Sequence, residues 1–117
     1  MAWIRGAICA ENTLKSVQNQ TLKLFDEIVR INNLSDGDVQ AVFFTVTKDI
    51  DVCYPAKLLR ESYPQLKNVA FMCMQEMSVV GSLPKCIRIC VDVANKNQAD
   101  VIHCYLDGAE SLRPDLR

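Results

Sequence analysis

One histidine, four scattered glycines and a net charge of −1 are what this chain has least of, and each scarcity removes a class of function. A charge near zero gives no reason to expect nucleic acid or an anionic membrane as partner, so any anion site must be a local cluster of cations. Glycines at 6, 37, 81 and 108 form no phosphate-cradling loop. With a single histidine and no Cys-x-x-Cys spacing, a zinc site is not expected. No stretch approaches the ~18 consecutive apolar residues of a membrane span, and the start, Met1-Ala2-Trp3-Ile4-Arg5, lacks the charged and apolar regions of a signal peptide. A Cys–His nucleophile is disfavoured because His103 and Cys104 are sequential on a strand and face opposite ways, leaving His103 as a surface residue.

The 117 residues suffice for one domain spanning 1–117, and half are apolar, enough to bury a real core. The six cysteines, at 9, 53, 73, 86, 90 and 104, fall mostly inside apolar runs and read as buried thiols of a cytoplasmic protein.

Five strands and two helices are legible. Residues 3–9 alternate, with Trp3, Arg5 and Ala7 on one face and Ile4 and Ile8 on the other. Asn12 or Thr13 can cap a long helix to about Asn33, with Leu14, Val17, Leu24, Ile28 and Ile31 along one stripe. Residues 39–46 form a strand with Val42, Phe44 and Val46 on one face and Val39, Ala41 and Phe43 on the other. Tyr54-Pro55 opens a short helix carrying Lys57 and Arg60 on roughly one face. Residues 69–74, 85–93 and 101–106 complete the set, with Arg88 between the small thiols Cys86 and Cys90. Met72, Met74 and Met77 read as core filler and a loop anchor.

The fold class is α/β or α+β, a mixed sheet of about five strands with one long and one short helix. One long amphipathic helix covers one face of such a sheet, yet two strands are apolar on both faces. The second face needs another copy of the chain, which predicts a closed homo-oligomer packed sheet against sheet.

The chemistry-bearing set is cationic: Arg5, Lys57, Arg60, Arg88 and Arg113. Guanidinium forks hold carboxylates in a bidentate manner, so converging arginines suit a small molecule with more than one carboxylate. Glu76 can accept from a hydroxyl and Tyr105 can donate to a carboxylate. Taken singly, each is as readily a solvated surface charge or a half-buried tyrosine.

Trp-Ile-Arg5-Gly-Ala, Tyr54-Pro-Ala-Lys57-Leu-Leu-Arg60-Glu, Cys73-Met-Gln-Glu76-Met, Lys-Cys-Ile-Arg88 and Leu112-Arg113-Pro-Asp-Leu together resemble the monofunctional chorismate mutases of the AroH class, in order and spacing. The resemblance implies a homotrimer with a barrel-like core and active sites between subunits, converting chorismate to prephenate in aromatic amino acid biosynthesis without a cofactor. It implies that Arg88 takes the ether oxygen and a carboxylate, that Arg5 and Tyr105 hold the enolpyruvyl carboxylate, and that Glu76 and Cys73 meet the ring hydroxyl. Lys57, Arg60 and Arg113 would steer or cap the ring carboxylate, with Tyr54 and Leu112 on the wall. Tyr54 stands where the family usually has Phe, Lys48 where Pro is common, and Cys9 where Thr is common. Two rival readings share such a scaffold: a non-catalytic trimeric module for a small carboxylate, and an imine deaminase of the RidA type.

Overall fold

The computed structural model describes residues 1–116. Strand β1 (Ala2–Cys9) leads into helix α1 (Leu14–Ile31), followed by β2 (Val39–Val46), α2 (Pro55–Ser62), β3 (Ala70–Gln75), β4 (Cys86–Val93) and β5 (Cys104–Leu106). The sheet order is β3-β2-β4-β1-β5. The central strand β4 is antiparallel to both of its neighbours, β2 and β1, and the two edge strands β3 and β5 run parallel to β2 and β1.

Local chemistry explains the element ends. Thr13 is the N-cap of α1: its Oγ1 accepts from the Ser16 amide at 3.1 Å, while Ser16 Oγ accepts from the Glu11 amide at 2.9 Å. Pro55 sits in the first turn of α2, where its missing N–H costs nothing.

Both helices lie on the same face. Their apolar stripes, including Val17, Leu24, Phe25, Ile28, Leu58 and Leu59, pack on Ile4, Ile8, Val42, Phe44, Ile87, Ile89 and Val91 in one core. The sequence puts Val39 on the opposite face from Val42. The structure puts it in this core, 5% exposed, because a bulge between Val39 and Ala41 shifts the alternation by one. Among the described residues the other sheet face carries no α-helix. Trp3 and Phe43 stack there, ring centroids 5.7 Å apart. The methionines expected as core filler also lie outside the core: Met72 is 52% and Met74 43% exposed on the uncovered side, and Met77, in the following loop, 75%. The apolar character of both sheet faces is thus real, and one face is open in the single chain.

The last strand is shorter than the apolar run from Val101 suggests, because side chains replace the ladder before Cys104. Gln98 pairs with both the N–H and the carbonyl of Trp3 at 2.8 Å each, and His103 Nδ1 accepts from the Arg5 amide at 3.0 Å. Asn32, at the end of α1, holds Ile102 from the other side, accepting from its N–H at 2.7 Å and donating to its carbonyl at 2.9 Å. At Gly6 the chains come so close that a Cβ would lie 2.5 Å from the Cys104 carbonyl oxygen.

Candidate active site

Strand register assembles one row of side chains across the open face. Thr45 pairs with Met74 on β3 and with Arg88 on β4; Arg88 pairs with Ala7 on β1, and Ala7 with Tyr105 on β5. With strands ~4.8 Å apart, Arg88 and Tyr105 are two strands, ~10 Å, from each other. Ala7, with its small side chain, holds the register position between them. Arg5 lies one outward position before Ala7, opposite Cys90.

Glu76 enters this row from the end of β3. Its amide extends the ladder to the Val46 carbonyl at 2.8 Å, and its Oε1 accepts from Thr45 Oγ1 at 2.5 Å. Arg88 Nε lies 3.3 Å from the same oxygen. That separation is within ion-pair range, yet the N–H is misaligned and the buried Nε makes no hydrogen bond. About a quarter of each side chain is exposed (27% and 26%), so the pair is screened from water without being sealed from it. Arg5, Thr45, Glu76 and Arg88 line a cavity of about 480 Å³, floored by Phe43, Ile89 and Cys90.

The other expected residues stand apart from that cavity. Cys73 has the opposite phase on β3 from Met72 and Met74 and packs toward the helix-side core. Burial raises its thiol above the ordinary value, which keeps it neutral and unsuited to nucleophilic attack. It shares a second cavity, about 390 Å³, with Tyr54, round the β3 edge from Arg88. Lys57 and Arg60 are exposed on α2. Tyr105 and Arg113 line a third cavity of about 430 Å³ beside α1, and Arg113 forks onto Asp115 at 3.1 and 3.0 Å. Leu112 packs with Tyr105 over Ala7, Cys86 and Ala109, closing the end of the open face. Cys9 sits over the same cluster, close against Gly108, and all six cysteines are free thiols. A single chain therefore groups Arg5, Glu76 and Arg88, and carries the remaining candidates on separate edges.

These pieces match a known pattern over their whole length. The family model for chorismate mutase type I matches residues 1–116. The chain belongs to the type I chorismate mutases. Chorismate mutase AroH of Bacillus subtilis is 37% identical over 115 residues, covering 97% of this chain and 90% of that protein. Chorismate mutase AroH of Thermus thermophilus is 35% identical over 116 residues, covering 97% and 93%. The solved chorismate mutase from Clostridium thermocellum superposes with a TM-score of 0.88 at 38% identity, covering 95% of this chain and 99% of that one. The mixed five-stranded sheet with two helices on one face is thus the fold of a chorismate mutase.

Two residues that hold members of the row could not be seen to do so in the sequence. Thr45 is one; its only signal is that it is the polar outward position near the end of an apolar strand. His103 is the other. Read as a surface residue, it instead holds the backbone of Arg5. Burial, then the nearby Arg113 and Arg5 charges, depress its basicity below the ordinary value of 6.5, which keeps Nδ1 free to accept. The sign follows directly. A histidine with a depressed native pKa binds its proton more readily in the unfolded chain, so stability is complete above pH ~6.5 and falls as pH drops below it. Urea midpoints measured from pH 7.5 to 5.5 are expected to decline, and His103→Asn, which cannot charge, is expected to flatten that decline. Equal slopes in the two proteins would contradict the assignment.

No helix among the described residues is long and apolar enough to cross a membrane. The described residues also contain no group of three or more His, Cys, Asp or Glu side chains placed to hold a metal ion.

Proposed function

We propose that this chain catalyses the intramolecular Claisen rearrangement of chorismate to prephenate, in the cytoplasm, on the route to phenylalanine and tyrosine. The observation that carries the reading is Arg88 beside Glu76 on the open sheet face, with Arg5 on the next strand, in a chain of this family. The substrate is a dicarboxylate with a ring hydroxyl and an enol ether. As the ether C–O bond breaks and the new C–C bond forms, negative charge grows on the ether oxygen. Electrons move in a closed loop within one molecule, so neither a nucleophile nor a proton carrier is required.

The protein then has two tasks. One is to hold the enolpyruvyl arm over the ring as a near-attack conformer, which saves entropy and solvent reorganisation. The other is to place fixed positive charge at the developing oxyanion. In this reading the Arg88 guanidinium takes the ether oxygen and a carboxylate. Arg5 and Tyr105, across Ala7 from it, take the enolpyruvyl carboxylate. Glu76 accepts from the ring hydroxyl, with Cys73 nearby. Lys57, Arg60 and Arg113 steer or cap the ring carboxylate, and Tyr54 and Leu112 wall the cleft. Arg113 would exchange its fork on Asp115 for the substrate's carboxylate.

The active unit is a homotrimer. Two facts support it: the uncovered face with Trp3, Phe43, Met72 and Met74, and the distribution of the candidate residues over separate edges of one chain. A second copy laid on that face would bring the Cys73–Tyr54 edge of one subunit to the Arg5–Arg88 cavity of the next. Family membership supports the mutase over a non-catalytic carboxylate-binding module or an imine deaminase. The test is direct. Purified chain is mixed with chorismate and the loss of diene absorbance is followed, alongside light scattering at micromolar concentration. Acceleration by a species of three chains is expected. A rate equal to the uncatalysed one, or a monodisperse monomer, would overturn the respective half of the reading.

A further inference from the structure

We propose that Thr45 is a positioning residue for Glu76, fixing which carboxylate oxygen remains for the ring hydroxyl of the substrate. The inference rests on the mutase reading above and extends it to a residue that never touches the reacting atoms. Thr45 stands in the row between Met74 and Arg88, on the strand beside each. Its hydroxyl donates to Glu76 Oε1 at 2.5 Å, and Arg88 Nε faces that same oxygen at 3.3 Å. One oxygen is therefore taken up inside the protein. Among the described residues no hydrogen bond engages Oε2.

A carboxylate at the end of an edge strand has free rotation about its last bond, and either oxygen can point at a ligand. A donor on one oxygen removes that freedom. It leaves Oε2 as the single acceptor, at a defined angle, before substrate arrives, and saves the ordering that would otherwise be spent on binding. The same bond keeps the Glu76 carboxylate from swinging fully onto the Arg88 guanidinium, whose other nitrogens must stay available for the substrate. A β-branched side chain at 45 also suits the strand, so a valine preserves shape while deleting only the hydroxyl.

The experiment compares wild type, Thr45→Val and Thr45→Ser on chorismate and on an analogue whose ring hydroxyl is replaced by hydrogen. Circular dichroism and thermal midpoints confirm that each variant is folded. Thr45→Val is expected to lower kcat/KM for chorismate by ~10-fold, the size of one lost hydrogen bond to a charged group, and Thr45→Ser to restore most of it. On the deoxy analogue the wild type and Thr45→Val are expected to be equal, because Glu76 then has no hydroxyl to meet. A loss of equal size on both substrates assigns Thr45 to the fold alone and overturns the proposal, as does no loss on either. Wild type inactive towards chorismate overturns the mutase reading and takes this inference with it, a result distinct from the other two.

Discussion

Arg88→Ala is expected to lower kcat by ~10²–10³, about 3–4 kcal/mol of transition-state stabilisation, with little change in the thermal midpoint. In the proposed mechanism the guanidinium is held where rate, rather than binding, depends on it. It rises from the middle of the sheet, on β4, between the small neighbours Ala7 and Thr45. Its Nε is buried without a hydrogen bond, and the neighbouring Glu76 carboxylate is misaligned on it. That nitrogen is under-satisfied, and in the proposed mechanism the guanidinium's best contact is an oxygen that gains charge during the reaction. An interaction that strengthens on the way to the transition state appears in kcat. Arg88→Lys keeps the charge but loses the planar fork, and is expected to recover only a small part of the rate. Single-turnover kinetics would separate the chemical step from binding. A near-normal kcat in Arg88→Ala would overturn the assignment.

Gly6→Ala is expected to destabilise the fold by about 2–3 kcal/mol, among the larger costs of overpacking by one methyl group. Gly6 lies between Ile4 and Ile8, facing α1. The added carbon would meet Leu24 and Ile28 methyls at 3.2 and 3.3 Å, which flexible side chains can relieve. The Cys104 carbonyl at 2.5 Å is different. It is backbone, at the first paired residue of the three-residue strand β5, and cannot retreat without opening the β1–β5 ladder. Tyr105 is the next residue, so activity is expected to fall with stability. A urea titration would read the change as a lower midpoint at unchanged slope. A shift within about 0.5 kcal/mol, the range of an ordinary surface substitution, would show that β5 is softer than the structure indicates.

The core was legible in the sequence because it obeys local periodicity. The stripe of α1 from Val17 to Ile31 and the alternation of Ile87, Ile89, Val91 and Val93 each bury the predicted face, while Leu14, in the first turn where the helix overhangs the sheet's core, is exposed. Val39 misled because a bulge adds one residue to the count, and a bulge leaves no trace in a pattern of apolar letters. The methionines misled for another reason: an apolar outward position looks the same in the sequence whether or not a helix of the same chain covers it. Of the candidate site, Arg5, Glu76 and Arg88 share one cavity, as the alternation of β1 and β4 and the loop after β3 allow. The alignment of Ala7 between Arg88 and Tyr105 depends on strand order and register, which pair residues almost a hundred positions apart. Gln98 and His103 were opaque for the same reason. They replace backbone pairing with side-chain pairing, and nothing in their immediate neighbours announces it.

The stacking of Trp3 on Phe43 has a practical consequence. Trp3 is the single tryptophan of the chain, and it lies 41% exposed on the sheet face that has no helix, at the rim of the cavity holding Arg5 and Arg88. The protein thus carries its own optical gauge on the open face, beside the candidate site. Emission from an indole in that position shifts to the blue when water is displaced from the face, and no label is required. Dilution would test the proposed joining of subunits at one wavelength, and titration with a dicarboxylate would test occupancy at fixed protein concentration, in the same cuvette.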